Sequence, residues 1–203
     1  MIEYHNEKYK KDEIQSSSRG ENRAFRFFQE LIGSEREFRI LDFGCGTGWM
    51  SIALAKTGAE VYGIDISQEL IKKALQLADR ERLADKLNFM EMPGENLTFQ
   101  ENYFGLVLGS SILHHTDIAM AMRSIQRVLK PNGGAIFLEP MNQNVLLRIW
   151  KKITPWRRSP AERALSESDL KLIQDNFPDS KYYFFTFFPI LTEGLLILAP
   201  TNY

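Results

Sequence analysis

The chain has 203 residues, of which 44% are hydrophobic and 25% are charged, and its formal net charge at pH 7 is −1. This is the composition of one soluble globular domain, long enough to bury a hydrophobic core, and we predict a single domain over residues 1–203. Because positive and negative charges balance, no overall field favours nucleic acid or an anionic membrane, and no nucleic acid partner is expected.

The single cysteine, Cys45, forms neither an internal disulfide nor a Cys-rich zinc site, so no metal is expected. Residues 1–15 are polar and lack the apolar segment of a secretory signal, and together with the cysteine usage this favours the cytoplasm. The most apolar stretch, residues 184–199, falls short of the ~20 apolar residues that span a bilayer. We interpret it as buried strands, with a membrane-associated hairpin as the less favoured alternative.

In chain order, a polar lead over residues 1–20 precedes a regular alternation of helices and strands. The spacing of apolar residues predicts helices at 21–32, 47–56, 68–77 and 117–129. Short apolar runs predict strands at 38–43, 59–67, 87–91, 104–110 and 135–140. Ser67 is suited to cap the second of the strand-linking helices, with Glu69 in its first turn, where the helix dipole favours an acid. The sequence KPNGG, residues 130–134, predicts a stop before the fifth strand.

Strands that are nearly continuous apolar runs and alternate with helices indicate a parallel sheet covered on both faces. Right-handed crossovers then give a doubly wound, mostly parallel α/β fold. After the fifth strand the pattern changes, and residues 141–178 are predicted as an insertion or cap that includes a helix at 144–153. Ser166 and Asp169 have the spacing of a capping box at the start of a further helix. Residues 181–188 and 194–199 are predicted as an antiparallel pair at the C-terminal sheet edge.

The sequence ILDFGCGTG, residues 40–48, places three alternating glycines between a strand and a helix. In a doubly wound sheet, ligands bind beyond the carboxyl ends of the strands, where helix N–H groups favour an anionic group. Glycines there allow positive φ and close approach to the backbone. Asp65 lies 21 residues after Gly44, at the tip of the second strand, where its carboxylate can accept from both ribose hydroxyls. Together these features predict a ligand that contains a nucleoside.

The spacing of the three glycines distinguishes dinucleotide cofactors such as NAD from other cofactors that contain a nucleoside. The dinucleotide fingerprint is G-x-G-x-x-G, whereas this loop reads G-x-G-x-G, with Gly48 one residue early and followed by Trp49. An NAD-dependent oxidoreductase is therefore the less favoured alternative. A loop whose glycines serve only to pack the helix on the strand is a further alternative, which the position of Asp65 makes weaker.

The sequence resembles the class I S-adenosylmethionine-dependent methyltransferases, in particular the large type 11-like group that acts on small molecules. The resemblance covers roughly residues 21–140 and rests on five motifs in order: ILDFGCGTG, VYGIDIS, MPGENLTF, YFGLVLGSSILHHTD and IQRVLKPNGGAIFLEP. It implies a Rossmann-like fold and in-line transfer of a methyl group from S-adenosylmethionine, with S-adenosylhomocysteine as product. The acceptor would be a small or lipid-linked molecule, with O-, N- and C-methylation all open. A non-enzymatic, cofactor-binding regulatory domain is the alternative from a different functional class.

For the glycine loop, the resemblance implies that Gly44, Cys45 and Gly46 form the floor under the methionine and ribose parts of the cofactor. Asp42 would anchor this loop and reach the ammonium group, through water or directly. Asp65 would bind the ribose hydroxyls.

For the adenine and the methionine ammonium, the resemblance implies four further contacts. Ile66 would pack on the adenine face, Gly94 and Glu95 would line the adenine edge, and the Ser110 carbonyl would accept from the ammonium. The family's adenine loop usually carries an aspartate that accepts from the adenine amine, and Pro93 stands at that place here. A backbone carbonyl or Glu95 is then left to compensate, or the affinity is lower.

Two histidines follow the fourth strand and are candidates for the general base, since histidine titrates near neutral pH. For His114, packing or capping of the following helix is favoured over catalysis. His115 is the predicted catalytic residue, facing the methyl acceptor, with a packing role as an equal alternative. Glu139, at the end of the fifth strand, is interpreted either as a substrate contact or as part of a solvated loop. In the fourth-strand motif, Gly105 replaces the family's usual aspartate, which often has a structural role.

The segment 148–158, RIWKKITPWRR, carries five basic residues, two tryptophans and no acid. It suits an anionic or lipid-linked acceptor or a weak contact with an anionic membrane. A solvated helix whose tryptophans pack on the body is modestly favoured over that function. The lead, residues 1–20, is interpreted as a lid over the cofactor, with a disordered tail as the alternative.

Overall fold

The computed structural model of the chain describes residues 39–140, 165–188 and 191–198. The predicted helices at 21–32 and 144–153, the lead 1–20 and the basic segment 148–158 lie outside these ranges, and the predictions for them stand as predictions. The chain divides into two compact units, residues 1–93 and 94–203, which are described in turn. Within the described residues, no helix combines the length and apolar character needed to cross a bilayer.

The first unit contains three parallel strands with helices between them. Its elements are β1 (Arg39–Phe43), α1 (Trp49–Ala55), β2 (Glu60–Asp65), α2 (Gln68–Arg80), a 3₁₀ turn (Ala84–Lys86) and β3 (Leu87–Glu91). β2 lies between β1 and β3 and pairs in parallel with both. β1 is buried on both faces, as predicted for a parallel sheet. In β3 the buried Leu87 and Phe89 are each followed by a more exposed residue.

Capping residues set the start of the helices in this unit. The Ser67 hydroxyl accepts from the Leu70 backbone N–H, and Glu69 lies in the first turn of α2, as predicted. α1 begins at Trp49 rather than at residue 47, because Gly48 adopts a left-handed conformation at the N-cap. The glycine loop is therefore two residues longer than the predicted start of the helix indicates.

The second unit begins with a βαβ arrangement and ends with an antiparallel pair. Its elements are β4 (Phe104–Ser110), a 3₁₀ turn (Leu113–His115), α3 (Ile118–Val128), β5 (Leu129–Pro140), α4 (Glu167–Asn176), β6 (Lys181–Phe188) and β7 (Leu191–Leu198). β4 pairs in parallel with β5, β5 pairs antiparallel with β7, and β7 pairs antiparallel with β6. The predicted antiparallel C-terminal pair is confirmed, and so is the capping box of Ser166 and Asp169.

The start of the fifth strand was predicted wrongly. β5 begins at Leu129, directly after α3, and includes the KPNGG sequence that was expected to lie before it. Phe104 pairs with Leu129, and Leu106 pairs with Gly134. Two steps along β4 therefore correspond to five steps along β5, so the turn residues form a bulge within β5. A Cβ at Gly133 would lie 2.9 Å from the Gly105 carbonyl oxygen, so the two backbones approach closely at this bulge.

The loop that follows residue 93 is held against α3 by polar contacts. The Ser124 hydroxyl accepts from the Leu97 backbone N–H at 3.0 Å. The Arg127 guanidinium donates to the Phe99 carbonyl at 2.7 Å and also to the Leu97 carbonyl. A planar guanidinium suits this bridge because its donors diverge toward two acceptors at once. These contacts determine the path of the loop that contains Gly94 and Glu95.

Replacing Arg127 by methionine is expected to lower the free energy of unfolding by roughly 1–3 kcal/mol, since two carbonyl groups lose a charged donor. Arg123→Met is the matched control, because Arg123 is exposed on the same helix and its loss is expected to change stability by less than about 0.5 kcal/mol. Urea unfolding of the two variants measures the difference. Equal losses would show that the bridge does not stabilise the loop.

Candidate functional site

The glycine loop is bound to the end of β2 through its own backbone. The N–H groups of Gly44 and Cys45 both donate to the Ile64 carbonyl, at 2.9 and 2.8 Å. The three glycines have φ values of +76°, +55° and +81°, a region that residues with a Cβ adopt only at a cost. The loop can take this path because these positions are glycine.

The second and third glycines meet different surroundings. A Cβ built at Gly48 would lie 2.8 Å from the Phe89 ring and 2.9 Å from the Ala74 Cβ, so this position is closed by packing between α1, α2 and β3. A Cβ built at Gly46 has no described heavy atom within 4 Å. The packing alternative is therefore correct for Gly48, whereas the described residues leave open the space beside the Gly46 backbone, as a ligand requires.

Asp65 joins the glycine loop to the start of α2. Its Oδ2 accepts from the Gly46 N–H at 3.0 Å, and its Oδ1 accepts from the Ser67 N–H at 2.9 Å. The sequence predicts Asp65 as a ribose ligand and does not reveal this second role. A carboxylate offers about four acceptor sites, so two backbone contacts are compatible with hydrogen bonds from ribose hydroxyls.

The half-buried Asp65 carboxylate and the open backbone at Gly46 fit the ribose part of a nucleoside cofactor. Ile66 follows Asp65 directly and is also half-buried, as expected of an apolar residue that packs on one face of a base. These three residues are all in the first unit.

Asp42 lies beneath the loop and is 3% exposed. The Ser51 hydroxyl, on α1, donates to its Oδ2 at 2.5 Å, so the side chain connects the end of β1 to the helix that follows the loop. Burial raises the pKa of Asp42 from 3.8 to about 6; hydrogen bonds from Ser51 act in the opposite direction, and the negative charge of Asp65 adds to the increase. This position supports the predicted anchoring role.

Cys45 is a buried packing residue. It is 5% exposed, and a Cβ at Gly63 would lie 3.0 Å from its sulfur. Burial, with the negative charges of Asp42 and Asp65, raises the pKa of the thiol well above its ordinary value. Because the thiolate is the reactive form, Cys45 is not suited to nucleophilic catalysis and fits its predicted place in the loop floor.

Three predicted cofactor contacts lie in the second unit. Gly94 is buried, Glu95 is half-buried, and Ser110 is half-buried at the carboxyl end of β4. Glu95 Oε1 accepts from the Asp117 N–H at 3.1 Å, and Asp117 in turn caps α3. Glu95 therefore helps to hold the start of α3, a role that the sequence pattern does not indicate.

The turn after β4 contains both histidines and a buried carboxylate. Glu139 is 1% exposed, so its interpretation as part of a solvated loop is wrong. Its Oε2 lies 2.7 Å from His114 Nδ1, and its Oε1 accepts from two backbone N–H groups of the turn. The two histidine rings are 4.1 Å apart between centroids, and His115 is half-buried. His114 has an acidic partner that sequence reasoning missed, and the choice between packing and catalysis for this residue stays a prediction.

Comparison with known proteins agrees with these features. Residues 41–137 match a family model described as a methyltransferase domain. A demethylmenaquinone methyltransferase of Chlorobaculum tepidum is 37% identical over 115 residues, which are 56% of this chain and 45% of that protein. A ubiquinone biosynthesis O-methyltransferase of Bordetella avium is 35% identical over 122 residues, which are 58% of this chain and 48% of that protein. The chain spans about half the length of the curated relatives it matches.

Among solved structures, the geranyl diphosphate C-methyltransferase of Streptomyces coelicolor was determined with Mg²⁺, geranyl diphosphate and S-adenosylhomocysteine. It matches with a TM-score of 0.71 over 89% of this chain and 81% of that chain, at 13% sequence identity. This likeness shows the fold, and the prediction of a mostly parallel, Rossmann-like sheet with helices is confirmed.

Residues 41–137, just under half of the chain, are therefore similar to the methyltransferase-domain family. The predicted resemblance of the chain to the class I S-adenosylmethionine-dependent methyltransferases is confirmed. The NAD-dependent alternative is not supported, since the family model and both relatives are methyltransferases. In the described part of the chain, no three His, Cys, Asp or Glu side chains are grouped so as to hold a metal ion.

Gly46→Ala is expected to raise the dissociation constant for S-adenosylhomocysteine at least ~10-fold, because the methyl group would enter the open space beside the loop. Gly58→Ala is the matched control. Gly58 also has a positive φ, +103°, and no described heavy atom within 4 Å of a Cβ, but it follows α1 at the opposite end from the loop. Each variant is expected to lose roughly 1–2 kcal/mol of stability from its backbone conformation. Calorimetric titration measures the dissociation constant of each variant for S-adenosylhomocysteine. Equal dissociation constants for the two variants would contradict a ligand at Gly46.

The raised pKa of Asp42 predicts a pH dependence of stability. Folded protein retains a proton that the unfolded chain has lost between about pH 4 and pH 6, so the free energy of unfolding falls as the pH rises through this window. The change attributable to Asp42 is about 3 kcal/mol. Urea unfolding of the wild type and of Asp42→Asn at about pH 4 to 7 isolates it. The wild type is expected to lose stability relative to the variant as the pH rises; a constant difference would refute the assignment.

Proposed function

We propose that the protein transfers a methyl group from S-adenosylmethionine to a small-molecule acceptor. The observation that carries the proposal is the contact between Asp65 and Gly46, which joins the predicted ribose-binding carboxylate to the part of the glycine loop that no described side chain covers. The match to the methyltransferase family supports the same cofactor, as does the bound S-adenosylhomocysteine of the Streptomyces enzyme.

When bound, S-adenosylmethionine supplies an electrophilic methyl group and leaves as S-adenosylhomocysteine. The residues of the first unit that suit its binding are the ribose acceptor Asp65, the apolar Ile66, the anchor Asp42 and the loop residues Gly44, Cys45 and Gly46. In the second unit, Gly94 and Glu95 are assigned to the adenine edge and the Ser110 carbonyl to the ammonium group. Positioning of the two reactants provides much of the rate in such a transfer, so few catalytic side chains are needed.

The acceptor class is proposed from the relatives and from the basic segment. Two relatives are named for demethylmenaquinone and for ubiquinone biosynthesis, which supports a small, lipid-linked acceptor such as a quinol. Segment 148–158 combines basic residues with tryptophans, which suits an anionic or lipid-linked molecule or a weak contact with an anionic membrane. Its structure lies outside the described residues. A cytoplasmic location is retained as a proposal from cysteine usage.

A cofactor-binding regulatory domain is the second candidate function, because the fold alone does not determine activity. Pro93 favours it. This exposed proline stands where the family's adenine loop usually carries an acceptor for the adenine amine. The candidate predicts weak cofactor binding and no methylated product.

The deciding experiment is a calorimetric titration of the purified protein with S-adenosylmethionine, S-adenosylhomocysteine and NAD. Micromolar binding of the first two and none of NAD is expected. 1,4-Naphthoquinol is then supplied as a probe acceptor, and mass spectrometry measures the methylated product. Absence of binding would refute the proposal; binding without product from this or other quinol and catechol probes would favour the regulatory domain.

A further inference from the structure

We propose that Glu139 is a positioning residue that holds His114 with its proton on Nδ1, so that Nε2 of His114 accepts the proton of the methyl acceptor. The inference rests on the proposed methyl transfer, but its structural part concerns only side chains of the second unit. It assigns the base to His114 rather than to His115, the histidine that the sequence favours.

The surroundings of Glu139 impose this arrangement. One of its oxygens, Oε1, accepts from the backbone N–H groups of Ile112 and Leu113, both at 2.8 Å. The other oxygen, Oε2, lies 2.7 Å from His114 Nδ1. The Glu139 and His114 side chains are 1% and 8% exposed, so water competes little with these contacts. Two backbone donors and one histidine ring nitrogen therefore converge on one buried carboxylate.

The partner of Nδ1 determines which ring nitrogen is basic. An ionised carboxylate only accepts hydrogen bonds, so Nδ1 must carry the proton that it donates to Oε2. A neutral imidazole has one N–H, which leaves the lone pair on Nε2. Once Nε2 is protonated, the carboxylate at Nδ1 stabilises the imidazolium charge, as in other pairs of histidine and carboxylate.

The same carboxylate also holds the backbone that carries His114. Ser111 has a φ of +54°, which is unfavourable for a residue with a Cβ, and its N–H donates to the Leu138 carbonyl at 2.7 Å. The 3₁₀ turn that follows is held by the two N–H contacts to Glu139. On its other side, the His114 ring packs against His115 with centroids 4.1 Å apart. His114 is thus oriented through its backbone, its Nδ1 and its ring face.

The proposed step moves one proton and one methyl group. The O–H or N–H bond of the acceptor breaks, its proton bonds to His114 Nε2, and its electron pair bonds the methyl carbon as the C–S electron pair returns to sulfur. The imidazolium remains paired with Glu139 and releases the proton to water after turnover. Proton acceptance of this kind contributes typically 10²–10⁴-fold to a rate.

Glu139→Gln tests the arrangement without changing the shape of the side chain. The two backbone N–H groups require an oxygen at the Oε1 position, so the amide NH₂ must face His114. An NH₂ group donates, which makes Nδ1 the acceptor and moves the ring proton to Nε2. The variant is therefore expected to reverse the tautomer of His114 while the turn keeps its conformation.

Histidine ¹⁵N NMR, recorded over a series of pH values, reads directly which ring nitrogen of His114 carries the proton in the neutral ring. The chain has three histidines, and His114→Gln and His115→Gln assign the signals. The expected result is Nδ1–H for His114 in the wild type and Nε2–H in Glu139→Gln. An Nε2–H tautomer in the wild type would overturn the proposal, and this holds even if the Gln variant fails to fold.

Turnover of 1,4-naphthoquinol separates positioning from binding. Glu139→Gln and His114→Gln are each expected to lower kcat at least ~100-fold, with KM and the affinity for S-adenosylhomocysteine nearly unchanged. Loss of kcat in His115→Gln but not in His114→Gln would overturn the assignment and favour His115 as the base. If the wild type binds neither S-adenosylmethionine nor S-adenosylhomocysteine, the proposed function fails, whereas the tautomer result still decides the role of Glu139.

Discussion

Two backbone N–H groups, from Gly46 and Ser67, converge on the carboxylate of Asp65. The contact with Gly46 holds the glycine loop at the end of β2. The contact with Ser67 holds the start of α2 at the same carboxylate. The charge on Asp65 is stabilised by donors whose positions the chain fixes, so the carboxylate is oriented before any ligand arrives. Preorganisation of this kind reduces the entropy lost on binding. The loop conformation and the proposed nucleoside site therefore depend on one side chain.

The second unit uses the same principle at another strand end. Glu139, like Asp65, lies at the carboxyl end of a strand, and it accepts backbone N–H groups from a neighbouring turn. The difference lies in the remaining contact, because Glu139 also meets a histidine ring. Asp65 is thus suited to holding a ligand, and Glu139 is suited to fixing which ring nitrogen of His114 carries the proton.

The alternation of strands and helices was predictable because each strand is a compact apolar run bounded by turn residues. Asp65 was predicted as a ligand from its distance along the chain. Its backbone contacts depend on the path of the loop, which a pattern of residue types does not specify. Glu139 was ambiguous for a related reason. Its burial follows from the pairing of β5 with β4 and β7, a relation between distant segments. The early start of β5 was missed because turn residues form a bulge as readily as they end a strand.

The ring of Phe89 fills the space where a Cβ would lie at two glycines, Gly48 and Gly63. A Cβ at Gly63 would lie 2.6 Å from this ring, and one at Gly48 would lie 2.8 Å from it. The three positions share one fixed volume, so a larger residue at either glycine is accommodated only if the ring becomes smaller. We therefore expect these positions to diverge together during evolution: a relative with alanine or serine at one of them would carry a smaller side chain in place of the phenylalanine.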